Sequence, residues 1–177
     1  MIGALLLIHY FIKVRKLKKN IYFDFAYFII LAATFGAVIV LGAIVAPVVF
    51  HTDVITVNLL IDHYNAGIIM GEIFHRFSYW VNFAVTYIII YEAMVYKMGQ
   101  RDAISFGSAV IAVFSGLLFS VVYVPKILSM QALGTEATQS DTFHNIHIAS
   151  EIDFKIFALA LLVLFVRRLM ILRIPSK

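Results

Sequence analysis

Cysteine is absent from the 177 residues, which excludes disulfides, thiolate metal sites, a cysteine nucleophile and covalent haem attachment through C-x-x-C-H. Charge is scarce: 14% of residues are charged, against about 25% in an ordinary soluble domain. Also missing are a phosphate loop, a G-x-S-x-G elbow, an H-E-x-x-H pair and a dinucleotide fingerprint, so hydrolase and kinase readings have no support. No internal repeat or low-complexity tract interrupts the chain. What fills it is apolar: 63% of residues, against about 45–50% in soluble domains, with a mean hydropathy of +0.97. Apolar runs of about twenty residues then point to a polytopic integral membrane protein of one compact domain. A net charge of +4 and a pI of 9.3 would suit nucleic acid only if the basic residues gathered on a solvated face. They follow the membrane instead, so no nucleic-acid partner is expected.

The runs predict an all-α polytopic four-helix bundle with four spans, preceded by a short N-terminal helix. Residues 1–12 are apolar and meet the basic cluster Lys13, Arg15, Lys16, Lys18 and Lys19. Twelve helical residues cover roughly 18 Å, short of a hydrocarbon core of about 30 Å, so residues 1–20 read as a membrane-embedded or interfacial helix. The order of the two parts and the lack of a small-residue cleavage site argue against a signal peptide. Residues 21–177 then form the bundle. Its first span covers 25–50, with Gly36, Gly42, Ala43 and Ala46 for close helix approach and Pro47 loosening its far end. Residues 51–65 lie along the interface. The second span covers 76–97, extended outward past Gly67 and Gly71; the third covers 103–124, with Asp102 as N-cap and Pro125 as terminator; the fourth covers 142–165. Residues 126–141 form a solvated loop.

Counting Lys and Arg orients the bundle. The 13–19 cluster, the 97–102 turn and the C-terminus hold 11 of the 14 basic residues, which places that side in the cytoplasm and the chain in an inner membrane. Five of the six histidines, His51, His63, His75, His144 and His147, then fall on the outer side with most of the acids. Glu72 and His75 are three apart, and His144, His147 and Glu151 sit at i, i+3 and i+7, so each set shares a helix face. Lys155 continues the second set by one turn. The second and fourth spans enter at similar depth, which predicts that Glu72, His75, His144, His147 and Glu151 converge near the outer boundary.

Glu-x-x-His arms inside a four-helix bundle hold iron or manganese, imidazole with carboxylate also suits zinc, and paired imidazoles such as His75 and His147 clamp haem b. Copper belongs to the same list of transition metals. A plainer reading stands beside this one, since boundary histidines cap helices and meet headgroups, and Glu151 with Lys155 is an ordinary i, i+4 pair. Tyr79, Asn82 and Thr86 continue the His75 stripe inward, and such a stripe should face other helices. Glu92 and Asp24, deep in the bilayer, are expected to snorkel toward the basic inner surface.

Three stretches carry a resemblance: G42-A-I-V-A-P-V-V-F50, N65-A-G-I-I-M-G-E-I-F74 and F143-H-N-I-H147-I-A-S150. Together they resemble the bacterial domain-of-unknown-function family 4149, to which eukaryotic transmembrane protein 205 is related. The resemblance implies a four-span bundle. A more distant similarity to copper-resistance D-like and HemJ-like membrane proteins implies metal or haem handling; His147 and Ser150 match the family's last-span pattern, whereas the N-terminal segment and Lys155 depart from it. The expected function is therefore binding of a transition metal or haem b near the outer face, for metal handling, cofactor delivery or electron transfer. The alternative is a non-catalytic subunit or assembly factor of a larger membrane complex or homo-oligomer, joined through small-residue faces.

Overall fold

The computed structural model describes residues 21–55 and 61–173, and the segment expected over residues 1–20 lies outside them. Four long helices dominate: α1 (Ile21–Phe50), α3 (His63–Lys97), α4 (Ala103–Gln131) and α6 (Asp141–Arg173). Two short helices, α2 (Thr52–Ile55) and α5 (Thr135–Thr138), lie in the connections. No strand occurs among the described residues. α1 and α4 are long and apolar enough to cross a membrane; α3 and α6 carry more charge within their length, including Arg76, Glu92, Asp153 and Lys155.

Packing runs round a ring, α1 on α3, α3 on α4, α4 on α6 and α6 back on α1. The helices that begin at His63 and Asp141 therefore lie on a diagonal, and they meet only where long side chains reach across the centre. α4 packs most extensively on α6 because its inward face is small: Ser105, Ser108, Ala109, Ala112, Ser115 and Gly116 are buried. The hydroxyl of Ser108 is satisfied locally, donating to the carbonyl of Ile104 at 2.8 Å. Opposite them stand the large buried side chains of α6, Phe157, Leu161 and Leu164. On α1 the core row is Tyr27, Leu31, Thr34 and Val38, and on α3 it is Val81, Val85, Ile88 and Val95, each at helical spacing.

Polar caps set the helix starts. Asp62 accepts from the Asn65 amide at 2.8 Å and opens α3; Asp102 accepts from the Ser105 amide at 2.8 Å and opens α4. Pro125 does not end α4. A π-helical turn over Leu118–Tyr123 precedes it, and the helix resumes as Val124–Gln131, because the wider register relieves the clash that the proline ring would make in a regular α-turn. The solvated connection is correspondingly shorter than residues 126–141. Pro47 is accommodated in the same way, behind a π turn over Leu41–Val45.

Candidate functional site

A cavity of about 1080 Å³ opens at the end of the bundle where α3 and α6 begin. Its floor is aromatic. Phe119 of α4 and Phe154 of α6 have ring centroids 4.8 Å apart, and Phe74 of α3 lies 5.5 Å from Phe154 and 5.7 Å from Phe119. Both π turns border it, through Gly42 and Ala43 on α1 and Phe119 on α4. Beside α3 the buried Gln131 holds the wall together: its side-chain amide donates to the Gly67 carbonyl at 2.8 Å, and its backbone carbonyl accepts from the Tyr64 hydroxyl at 3.0 Å. Gly71 gives the Gln131 amide its room, since a Cβ there would displace it. The neighbour admitted by Gly67 and Gly71 is thus a side chain of α4.

The polar rim comes from three helices. α6 contributes His144, His147, Glu151 and Lys155, α3 contributes His63, and the end of α1 contributes His51. His147 Nδ1 lies 3.4 Å from Glu151 Oε1, and Lys155 Nζ lies 3.5 Å from Glu151 Oε2. His51 Nδ1 sits 2.9 Å from the Pro47 carbonyl, which makes Nδ1 the donor. The His63 ring packs against Phe50 at 5.1 Å.

Glu72 and His75 stand apart from this rim. Glu72 is exposed and accepts from Arg76 Nε at 2.7 Å, while His75 Nε2 lies 3.1 Å from the Tyr79 hydroxyl. The reason is rotational. His63, Gly67, Gly71 and Phe74 form the cavity row of α3, and Glu72 lies about 180° and His75 about 120° round the helix from His63. The five residues expected to converge are therefore divided, with His144, His147 and Glu151 at the cavity and Glu72 and His75 outside it. Among the described residues no three His, Asp or Glu side chains are grouped closely enough to hold a metal ion. The polar stripe beyond His75 is divided too: Asn82 accepts from Ser120 at 2.7 Å, but Tyr79 is exposed and Thr86 bonds back to the Asn82 carbonyl at 2.8 Å. His51, His63 and Gln131, which sequence reasoning left outside the set, belong to the cavity; the four-residue recurrence of His63, Gly67 and Gly71 is the signal that carried this.

The opposite end of the bundle is closed by ion pairs. Glu92 does not snorkel. It is buried with Arg168, whose Nε lies 2.9 Å from Oε1 and whose Nη2 bonds Oε2, and the Tyr27 hydroxyl donates to Oε1 at 2.7 Å. Tyr27 stacks on Tyr91 at 3.7 Å, and the Tyr91 hydroxyl donates to Asp24 Oδ1 at 2.8 Å. Nearby, Arg167 grips Asp102 as a fork, Nη2 to Oδ1 at 2.6 Å and Nε to Oδ2 at 3.1 Å. The guanidinium, reinforced by the Ser105 amide and hydroxyl, holds the Asp102 carboxyl well below the usual carboxylate range.

Among the described residues every regular element is helical, and two of the helices are long and apolar enough to cross a membrane, which defines a small helical protein of that class. Within that class, residues 29–136 match the model of a domain of unknown function, DUF4149, and the chain belongs to that family. The match stops short of His144, His147 and Glu151. No curated protein and no solved structure matches the chain.

Proposed function

We propose that the protein is a four-span bundle of the bacterial inner membrane, C-terminus in the cytoplasm, that holds an amphiphilic cofactor of the haem b class in the cavity at its outer end. The crossing of α3 and α6 is supported by their outward faces, where Phe83 (51% exposed), Ile90 (53%) and Leu159 (62%) are bare, in a pattern that soluble proteins avoid. Glu92 of α3 and Arg168 of α6 are paired with each other, which lowers the cost of burying these two charges. The lysines and arginines before residue 20, around residues 97–101 and after residue 166 give the orientation.

One observation carries the cofactor reading: a cavity at the upper end of the ligand-pocket range, about 300–1,000 Å³, joins an aromatic floor to imidazoles from three helices. A bare ion needs three or more donors at one point, whereas haem needs one or two axial nitrogens and apolar walls. His147 is the first candidate ligand, its Nδ1 directed to Glu151 so that Nε2 is left for iron, with His63 or His51 from another helix as the second. Lys155 supplies a cation for a carboxylate of the ligand. Bound there, haem would supply one-electron transfer.

The test is the absorption spectrum and metal content of the protein purified in mild detergent. A Soret band with stoichiometric iron, lost in His147→Ala while thermal unfolding is unchanged, is the expected result. A protein without Soret absorption or bound iron after expression with added haem overturns the reading. A second reading, a subunit or assembly factor of a larger complex, draws on α1: Ala32, Ala33 and Gly42 are exposed, and Gly36 has open space around it. Stable partners in mild-detergent pull-downs support it, and a monodisperse monomer counts against it.

A further inference from the structure

Asp153 is the anomaly of the bundle interior. It faces α4 from α6, is 6% exposed, and its Oδ2 has no hydrogen-bond partner. Ser115 of α4 stands beside the carboxyl in the same wall. The residue stands in the wall of a second cavity, about 530 Å³, between α4 and α6. The rest of that wall is apolar except for Ser115 and the hydroxyl of Tyr123; Phe114, Ile152 and Ile156, all outward-facing, form its lip. No lysine, arginine or histidine lines it. The nearest charges along α6, Glu151 and Lys155, are two residues away on either side, hence about 200° round the helix. They line the first cavity and pair with each other.

We propose that Asp153 is a reversible proton-binding site between α4 and α6, occupied in the structure's closed packing. A sealed carboxylate with one hydroxyl partner and no counter-charge is far costlier than the neutral acid with one bare oxygen. The ligand is therefore the proton itself. With the proton on, the carboxyl and Ser115 satisfy each other with a single hydrogen bond, whichever oxygen donates. With it off, the group needs water or a cation, and the apolar wall of the second cavity supplies neither. The inference rests on burial between these two helices and needs no cofactor in the first cavity.

The experiment uses the full chain in lipid nanodiscs, with aspartate labelled by carbon-13 at the side-chain carboxyl. Infrared difference spectra between wild type and Asp153→Asn should contain an isotope-shifted carboxylic-acid carbonyl band at neutral pH. That band should move in frequency in Ser115→Ala and convert to a carboxylate band at alkaline pH. A hydrophobic carbodiimide gives a second reading on the wild-type protein. The carboxyl oxygen adds to its central carbon, the acid proton passes to nitrogen, and an acyl shift leaves a stable N-acylurea, so mass spectrometry should find the adduct on the peptide carrying Asp153. Absence of any isotope-shifted carboxylic-acid band from the labelled wild type at neutral pH overturns the proposal even if Asp153→Asn fails to fold, since the other five aspartates can mask a carboxylate band but not the loss of the acid band.

Discussion

Replacing Arg168 by methionine should strongly destabilise the closed end of the bundle. Glu92 is 8% exposed and Arg168 is 5% exposed. The carboxylate accepts from three donors, two on Arg168 and one on Tyr27. Arg168→Met removes two of them and the counter-charge, and leaves a buried anion with Tyr27 alone; breaking such a pair costs about 3–5 kcal/mol. Glu92→Met strands the guanidinium and falls in the same range. The double substitution leaves only the Tyr27 hydroxyl without its acceptor, a loss of about 1–3 kcal/mol. It should therefore be more stable than either single variant. Unfolding free energies in detergent, measured by circular dichroism against a denaturing surfactant and combined as a double-mutant cycle, test this directly. Additive single and double losses, or a loss below about 1 kcal/mol in Arg168→Met, would refute the buried pair.

The Asp102–Arg167 fork predicts an acid-limb effect. Because the native carboxyl titrates below its unfolded value of about 3.9, its contribution is complete above that pH and is lost as pH falls toward the native value. Asp102→Asn, which keeps an N-cap oxygen, should flatten the loss of thermal stability below about pH 4; an unchanged acid limb contradicts the assignment. Two glycines of α4 should respond oppositely to alanine. A Cβ at Gly116 would meet Val85 Cγ2 at 2.7 Å and Phe157 Cε2 at 3.0 Å, an overpacking that costs about 1–3 kcal/mol. At Gly107 nothing lies within 4 Å, so alanine should gain up to about 1 kcal/mol of helix propensity. Equal melting shifts in the two variants would show that the α4–α6 contact is looser than described.

Helix identity was legible because apolar periodicity and acidic caps act locally: Asp102 opens α4 by bonding the amide three residues on, a relation contained within four positions of sequence. The π turns were not, since Pro125 reads as a terminator unless the wider register before it is known. The site was half legible for a related reason. Spacing along α6 puts His144, His147 and Glu151 on one face, but which face of α3 turns toward them depends on the order of helices round the bundle. With α3 and α6 on a diagonal, the centre between them is filled by Phe74 and Phe154, and Glu72 and His75 rotate outward. Glu92 was misread likewise: a charge 76 residues from its partner carries no local sign of being paired.

The two ends of the bundle owe their difference to the same pair of helices. In α1 and α4 the halves toward Tyr27 and Ser105 are regular, and their buried rows pack against Tyr91 and the small-residue seam, finished by ion pairs. Beyond Val40 and Leu117 each helix passes through a π turn ahead of a proline, and there α1 lines the hollow with small residues, Gly42, Ala43 and Ala46, before Phe50, while α4 sends in Phe119. A π turn shifts the side-chain register as well as widening the coil, so the rows that seal the lower bundle are carried off the axis and a hollow opens where they would have met. Cavity and prolines are thus one feature. The closed half is held by buried charge while the hollow half stays underpacked, which is the distribution the proposed cofactor site would need if binding elements are drawn from the less stable part of a fold.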